Sequence, residues 1–271
     1  MAKVNKEYTN EFFGLEPKRV TAEVRENEPF RLLAVPDTHF PFVKDSRLNA
    51  IYDFAKDIKP THIVQLGDLY DQYSFSSFTK SVDFLTPEAE IKQAKCMAQD
   101  MWEKLTRIAP KASKFQVWGN HDQRIVSRIY EKLQEFASLA KDPINAWYHF
   151  NGVTDVGPYR SEVRIRVRTP KQDQEYHDVY LLHGIFSGPT SHVRKYPGDI
   201  VIRAHSHKQS LVPVESANGK NSFELDCGCI LDKAKLAFKY ARTFDPGWMP
   251  GFGYVEKDKN GILQARYIRL P

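Results

Sequence analysis

At 271 residues the chain is long enough for one α/β domain of more than average size or for two small ones. Its hydrophobic fraction of 41% holds no apolar run of the roughly 18 residues that crossing a bilayer requires, and three cysteines are too few for a disulfide framework. A formal net charge of +5, from 39 basic and 34 acidic residues interspersed along the chain, is a mild excess that attracts phosphate-bearing ligands weakly and does not by itself imply nucleic acid.

The amino terminus carries charge but no apolar stretch of the secretory kind, so the expectation is a cytoplasmic protein with no membrane partner. Residues 1–29 are rich in charge and poor in apolar periodicity, and read as an N-terminal extension ahead of a domain over 30–271. Phe30–Pro36 is a nearly continuous apolar run, the pattern of a strand buried on both faces. Leu48, Ile51, Tyr52 and Ala55 then predict a helix over 46–58, and Ile63–Leu66 the next strand, which makes a β-α-β unit with parallel strands. A long helix follows, capped by Thr86, with Pro87 at its first position, apolar Ile91, Ala94, Met97, Met101 and Leu105 on one face, and Pro110 beyond its end. Phe115–Trp118 is a third strand and residues 123–140 a further helix. From Arg160 onward the pattern turns to strands, at Val163–Val167, Val179–Leu182, Ile200–Ile202, Leu211–Val214 and Ser222–Asp226. Two closing strands, Gly253–Glu256 and Ile262–Ile268, flank the hairpin signal Asp258-Lys-Asn-Gly261.

Polar groups cluster immediately after these strands. Asp37-Thr-His39 follows the first, Gly67-Asp68-Leu-Tyr-Asp71 the second, and Gly119-Asn120-His121-Asp122 the third; His183 and His205-Ser-His207 follow two later ones. Ligands of open α/β sheets gather at the carboxyl ends of strands, so these five turns have the opportunity to converge. Carboxylates, imidazoles and an amide oxygen form a mixed donor set suited to manganese, iron, zinc or similar divalent ions rather than to calcium alone. Cys227 and Cys229 have no second cysteine pair to complete a thiolate site and read as small strand residues.

The five blocks, spanning Val35 to His207, resemble the signature of calcineurin-like metallophosphoesterases. The resemblance implies a two-sheet α/β sandwich flanked by helices, and two divalent metal ions, with manganese first and iron, zinc, nickel or magnesium as alternatives. It also implies hydrolysis of a phosphate ester by a metal-activated water. Carried over residue by residue, Asp37, His39, Asp68 and His207 would hold one ion and Asp68, Asn120, His183 and His205 the other, with Asp68 as the bridge. His121 would face the substrate as general acid or phosphate stabiliser, and Asp71 would orient its ring.

Three departures narrow the implied substrate. Ala204 precedes His205 where the family usually has glycine, Gln72-Tyr73 stands where protein Ser/Thr phosphatases carry Arg-Gly, and Asp122 replaces their glutamate. The last two argue against a phosphoprotein and toward a phosphodiester in a nucleic acid or nucleotide. A phosphomonoesterase is the alternative within enzymes. A protein-binding scaffold, such as the member of the fold in the retromer coat, is the alternative outside them, and would have little reason to keep His121 with every ligand. His62, His149, His177 and His192 read as satisfied structural histidines, although His192 and Arg194 lie in a glycine-bearing loop that could reach substrate. Asp122 reads as a helix N-cap, Tyr70 to Phe78 as aromatics packing a loop, and Trp118 as core.

Overall fold

The parallel β-α-β order read from the sequence builds the centre of the molecule. A computed structural model of the chain describes residues 16–76, 84–169, 176–215, 221–238 and 247–271. Strand β2 (Arg31–Val35) runs into helix α1 (Asp45–Ile58), β3 (His62–Gln65), helix α2 (Pro87–Ile108) and β4 (Ser113–Val117). β2, β3, β4 and β5 (Thr154–Gly157) pair in parallel, and the closing hairpin of β11 (Gly251–Lys257) and β12 (Leu263–Arg269) adds antiparallel to β2, giving the order β12-β11-β2-β3-β4-β5.

A second six-stranded sheet has the order β1-β6-β7-β8-β10-β9, from β1 (Arg19–Val24), β6 (Glu162–Arg168), β7 (Tyr176–Leu182), β8 (Ile200–Arg203), β9 (Gln209–Glu215) and β10 (Asn221–Cys227). Strand alternation decides which residues meet where. Leu32 and Ala34 of β2 point between the sheets, against Val163, Ile165, Leu181 and Ile202, whereas Leu33 and Val35 point outward against the helix layer that includes Ile51, Ala98 and Met101. Each such fully buried aliphatic side chain contributes roughly 1.5–3 kcal/mol, so the double-sided burial of β2 fixes its register firmly. Cys227 belongs to the layer between the sheets and Cys229 to a smaller apolar cluster with Phe42 and Phe238.

Three sequence expectations change. Arg19–Val24, placed ahead of the fold by its charge, forms β1, parallel to β6 in a register running from Arg19 opposite Glu162 to Val24 opposite Val167. Its exposure alternates and only Val24 is fully buried, the pattern of an edge strand, which leaves no apolar run to read. The helix expected over 123–140 is two helices, α3 (Arg124–Lys132) and α4 (Ala137–Asn145), separated by a 3-10 turn at Gln134–Phe136; α4 runs past the expected end and includes Pro143. Asp122 is not the cap of α3, because Gln123 occupies that position and makes no side-chain cap bond. By contrast Thr86 caps α2 as read, accepting from Ala89 N at 3.3 Å with Pro87 inside the first turn. Residues 1–15 of the extension, and the part of the aromatic loop beyond Ser76, lie outside the described residues.

Candidate metal centre

Five turns at strand ends bring the predicted residues together, and the backbone there is unusual. Eight described residues other than glycine have positive φ, and four of them are predicted ligands: His39 at 51°, Asp68 at 49°, His205 at 72° and His207 at 56°. Such conformations cost about 1–3 kcal/mol each and persist only where surrounding structure enforces them, typically at functional sites. The enforcement is visible around Asp68. A Cβ on Gly119 would lie 2.0 Å from Asp68 Oδ1, and one on Gly67, itself at φ 94°, would lie 2.6 Å from Gly119 N. The two glycines let the second and third turns touch backbone to backbone.

Asp37, His39, Asp68 and His207 are buried and place one ligand atom each within 4.8 Å of one another. His207 Nε2 is 3.0 Å from Asp37 Oδ2 and 3.1 Å from His39 Nε2. On the other side of Asp68, Asn120 Oδ1 lies 3.0 Å from His183 Nε2 and 2.9 Å from His205 Nδ1. Asp68 Oδ2 stands between the halves, 3.8 Å from His39 Nε2 and 3.4 Å from His183 Nε2. Its Oδ1 accepts from His121 N at 2.8 Å.

The donor set fits divalent cations because its inner atoms are acceptors that face acceptors. His39 Nδ1 donates to Asp71 Oδ1 at 2.7 Å and His183 Nδ1 to the carbonyl of Leu66 at 2.9 Å, so each ring turns the lone pair of Nε2 inward. Asp37 Oδ1 is buried with no hydrogen-bond partner. Burial disfavours charge on these groups, yet Asp68 and Asp37 outweigh it at His183 and raise that ring to about 9, so a divalent ion at Nε2 would take the place of a proton there. Burial wins at His205, with help from the adjacent His183, and lowers it to about 4. Although burial pushes the carboxyl of Asp68 upward, His183 and His121 hold it well below the usual carboxylate range. A pocket that keeps carboxylates ionised this firmly is built for positive charge.

His121 is tied through Nδ1 to Asp71 Oδ1 at 3.0 Å, and its side chain is 15% exposed where Asp68 and Asp71 are 1% exposed. Asp71 therefore serves two rings, His39 as well as His121, a double use that the sequence reading missed. Asp122 does neither job. Its carboxylate accepts from the N–H groups of Leu69, Tyr70 and Gly119 at 2.8–3.1 Å and so fastens the second turn to the third. His192 is buried, with Nε2 accepting from Ile185 N at 3.0 Å, and acts as a structural tie rather than a substrate contact.

A family model described as calcineurin-like phosphoesterase matches residues 30–209, about two thirds of the chain. The chain belongs to the calcineurin-like phosphoesterase family. It is a metal-dependent phosphoesterase, and its Asp and His cluster fits the family's binuclear divalent site. The gene 54 protein of Mycobacterium phage D29 is 25% identical over 254 residues, covering 86% of this chain and 91% of that protein. Among solved structures, YfcE, a phosphoesterase from E. coli, matches 89% of this chain and 100% of its own at 15% identity and a TM-score of 0.40. Vacuolar protein sorting 29 from Cryptosporidium parvum matches 89% and 98% at 16% identity and a TM-score of 0.42. Likeness at that level carries no statement about substrate or partner.

Neither Arg124 nor Arg203 stands out in the sequence, and Gln72 stands out only as a departure from the Arg-Gly of protein Ser/Thr phosphatases. Arg124 is the first residue of α3, and His121 lies in the turn leading into it, closed by a hydrogen bond from Arg124 N to the carbonyl of His121 at 3.0 Å. The sequence around Gln72 gives no sign that its side chain is buried. Arg203 had one: Glu224 and Asp226 are two carboxylates on one face of a predicted strand, which requires a cation if that face is buried. In the structure Asp226 pairs in register with Arg203, whose guanidinium donates to Glu224 Oε1 at 2.6 Å, Asp226 Oδ2 at 3.0 Å and the carbonyls of Phe186 and Gly188 at 2.8 and 3.1 Å. Ser206, between the two histidines of the last block, donates to Asp226 in turn.

Proposed function

We propose that this phosphoesterase hydrolyses a phosphodiester in a nucleic acid or nucleotide, with manganese as its working metal and the cytoplasm as its setting. In the proposed assignment Asp37, His39, Asp68 and His207 hold one ion, Asp68, Asn120, His183 and His205 hold the second, and Asp68 bridges. Bound there, the ions supply Lewis acidity toward phosphoryl oxygens and a nucleophilic water at neutral pH. The chain's own groups do the rest. Asp71 fixes the rings of His39 and His121, the left-handed turns hold the ligands in place, and His121 stands on the solvent side, with Nε2 2.8 Å from Arg124 Nη2.

The observation that carries the diester reading is the fate of Gln72, which occupies the position where protein Ser/Thr phosphatases have arginine. It is fully buried, donates through Nε2 to Asp122 O and Tyr148 Oη at 2.9 Å each, and accepts at Oε1 from Ile125 N at 2.8 Å. Both of its Nε2 protons are spent inside the protein, so the departure from the Arg-Gly pattern is built into the interior, which supports a substrate other than a phosphoprotein.

The test is a panel of bis-p-nitrophenyl phosphate, p-nitrophenyl phosphate, cyclic nucleotides and single-stranded DNA, each with added manganese, magnesium, zinc or nickel. The expected result is manganese-dependent turnover of diesters. Cleavage of the monoester alone would set the diester reading aside.

A further inference from the structure

Among the described residues, Arg124 brings its guanidinium into contact with the proposed substrate-side histidine, His121. Its Nη2 lies 2.8 Å from His121 Nε2, and its Nη1 donates to the carbonyl of Asp71 at 2.8 Å. Its nearest carboxylate oxygen, Asp71 Oδ2, is 3.7 Å away, and the other oxygen of that carboxylate already accepts from two imidazoles. Arg124 thus forms one long ion pair, with a carboxylate it shares with His39 and His121.

Two further features set this arginine apart. It begins α3, a helix with no acidic residue in its first turn, and a cation at a helix amino end is electrostatically unfavourable. Its side chain is 22% exposed beside ligands that are almost wholly buried, which puts it on the solvent side with His121. A guanidinium has five N–H donors in a planar fork. Two are used here, and the remaining three stand next to the imidazole that the proposed chemistry directs at phosphate. A planar, permanently charged group with spare donors matches phosphoryl oxygens, and bidentate contacts of this kind are the strong ones.

We propose that Arg124 binds the non-bridging oxygens of the substrate phosphate and thereby sets affinity for the ester. The inference rests on the reading that phosphate esters bind at this centre, but not on which bond is cleaved. It assigns α3 a part in substrate recognition, through a residue outside the five metal-ligand blocks.

The experiment compares Arg124→Gln and Arg124→Lys with the natural 271-residue chain, all loaded with manganese. It reads the inhibition constant of inorganic phosphate, KM and kcat for the best ester of the panel above, and bound metal by atomic emission. Loss of charge-assisted hydrogen bonds predicts a rise of about 10–100-fold in both the phosphate inhibition constant and KM for Arg124→Gln. The Lys variant should recover part of this, because it keeps the charge and loses the fork, and metal content should match the natural chain. Unchanged phosphate affinity with a lowered kcat would overturn the proposal and reduce Arg124 to a support for His121. Should the Gln variant not fold, full phosphate affinity in folded Arg124→Lys overturns it equally. If the natural chain cleaves only monoesters, the diester reading fails while the phosphate inhibition constants still decide the role of Arg124.

Discussion

The helix-backed sheet brings Asp37, His39, Asp68 and Asn120 to the centre, whereas the second sheet brings only imidazoles, from His183, His205 and His207. The two contributions are held in place by different physics. On the helix-backed side the turns touch through glycine, with Gly67 and Gly119 so close to each other and to Asp68 that one added methyl group would collide. On the other side a buried arginine, 1% exposed, pins the loop after β7 through the carbonyls of Phe186 and Gly188, and the turn after β8 through Asp226 and Ser206. One half is shaped by steric contact and the other by compensated charge. The first should fail when atoms are added, and the second when charge is removed.

The largest effect is expected at the seam between them. Asp68→Asn should lower metal content at both proposed ion positions and reduce turnover by about 10³-fold or more, because in the proposed assignment this carboxylate neutralises charge for both. His121→Ala should reduce turnover by roughly 10²–10⁴-fold with metal content retained, since its proposed role is on the substrate side. Metal analysis beside single-turnover rates checks the pair, and equal metal loss in the two variants would refute the division of labour.

Next comes the charge network. Arg203→Met leaves Glu224 and Asp226 buried without their cation, and breaking a buried pair in this way costs about 3–5 kcal/mol. The urea midpoint measures it. A shift worth less than about 1 kcal/mol would mean that the second sheet holds its histidines without the ionic network.

The smallest expected effect lies at the far end of β3, away from the metal ligands. His62 packs edge-on against Phe30 with ring centroids 5.3 Å apart, and burial lowers its pKa to about 4, with Glu28 opposing weakly. The unfolded chain therefore binds more protons than the folded one between about pH 6.5 and pH 4. The stability contributed by the neutral ring is fully present above pH 6.5 and is lost as pH falls toward 4, by roughly 1–3 kcal/mol. The difference in urea midpoint between the natural chain and His62→Phe, followed from pH 7.5 to 4.5, isolates this from metal loss. A pH-independent difference would show that His62 titrates normally.

Much of the centre was legible because each ligand lies within a few residues of a strand end, and strands such as Phe30–Val35 announce themselves by continuous apolar runs. The β-α-β core was legible for the same reason. What escaped depends on partners distant in sequence. β1 has only Val20, Ala22 and Val24 alternating inward, a short period-2 signal, and its partner lies 143 positions away, so nothing local ties it to the domain. The break in the helix after Lys132 follows from Leu133 leaving helical geometry at φ −142° and ψ 46°, with no glycine or proline to signal it. Gln72 and Asp122 became interior fasteners only because the second and third turns approach each other, a tertiary fact absent from either turn alone.

The pairing of β1 with β6 also sets a timetable. A ribosome adding about 5–20 residues per second needs roughly 7–30 seconds to travel from Arg19 to Glu162, an interval in which β1 exists without its neighbour. β6, for its part, can pair with β7 as soon as both emerge, which leaves its other edge open until β1 docks. That open edge is where a nascent chain is most exposed to capture by a strand from another copy.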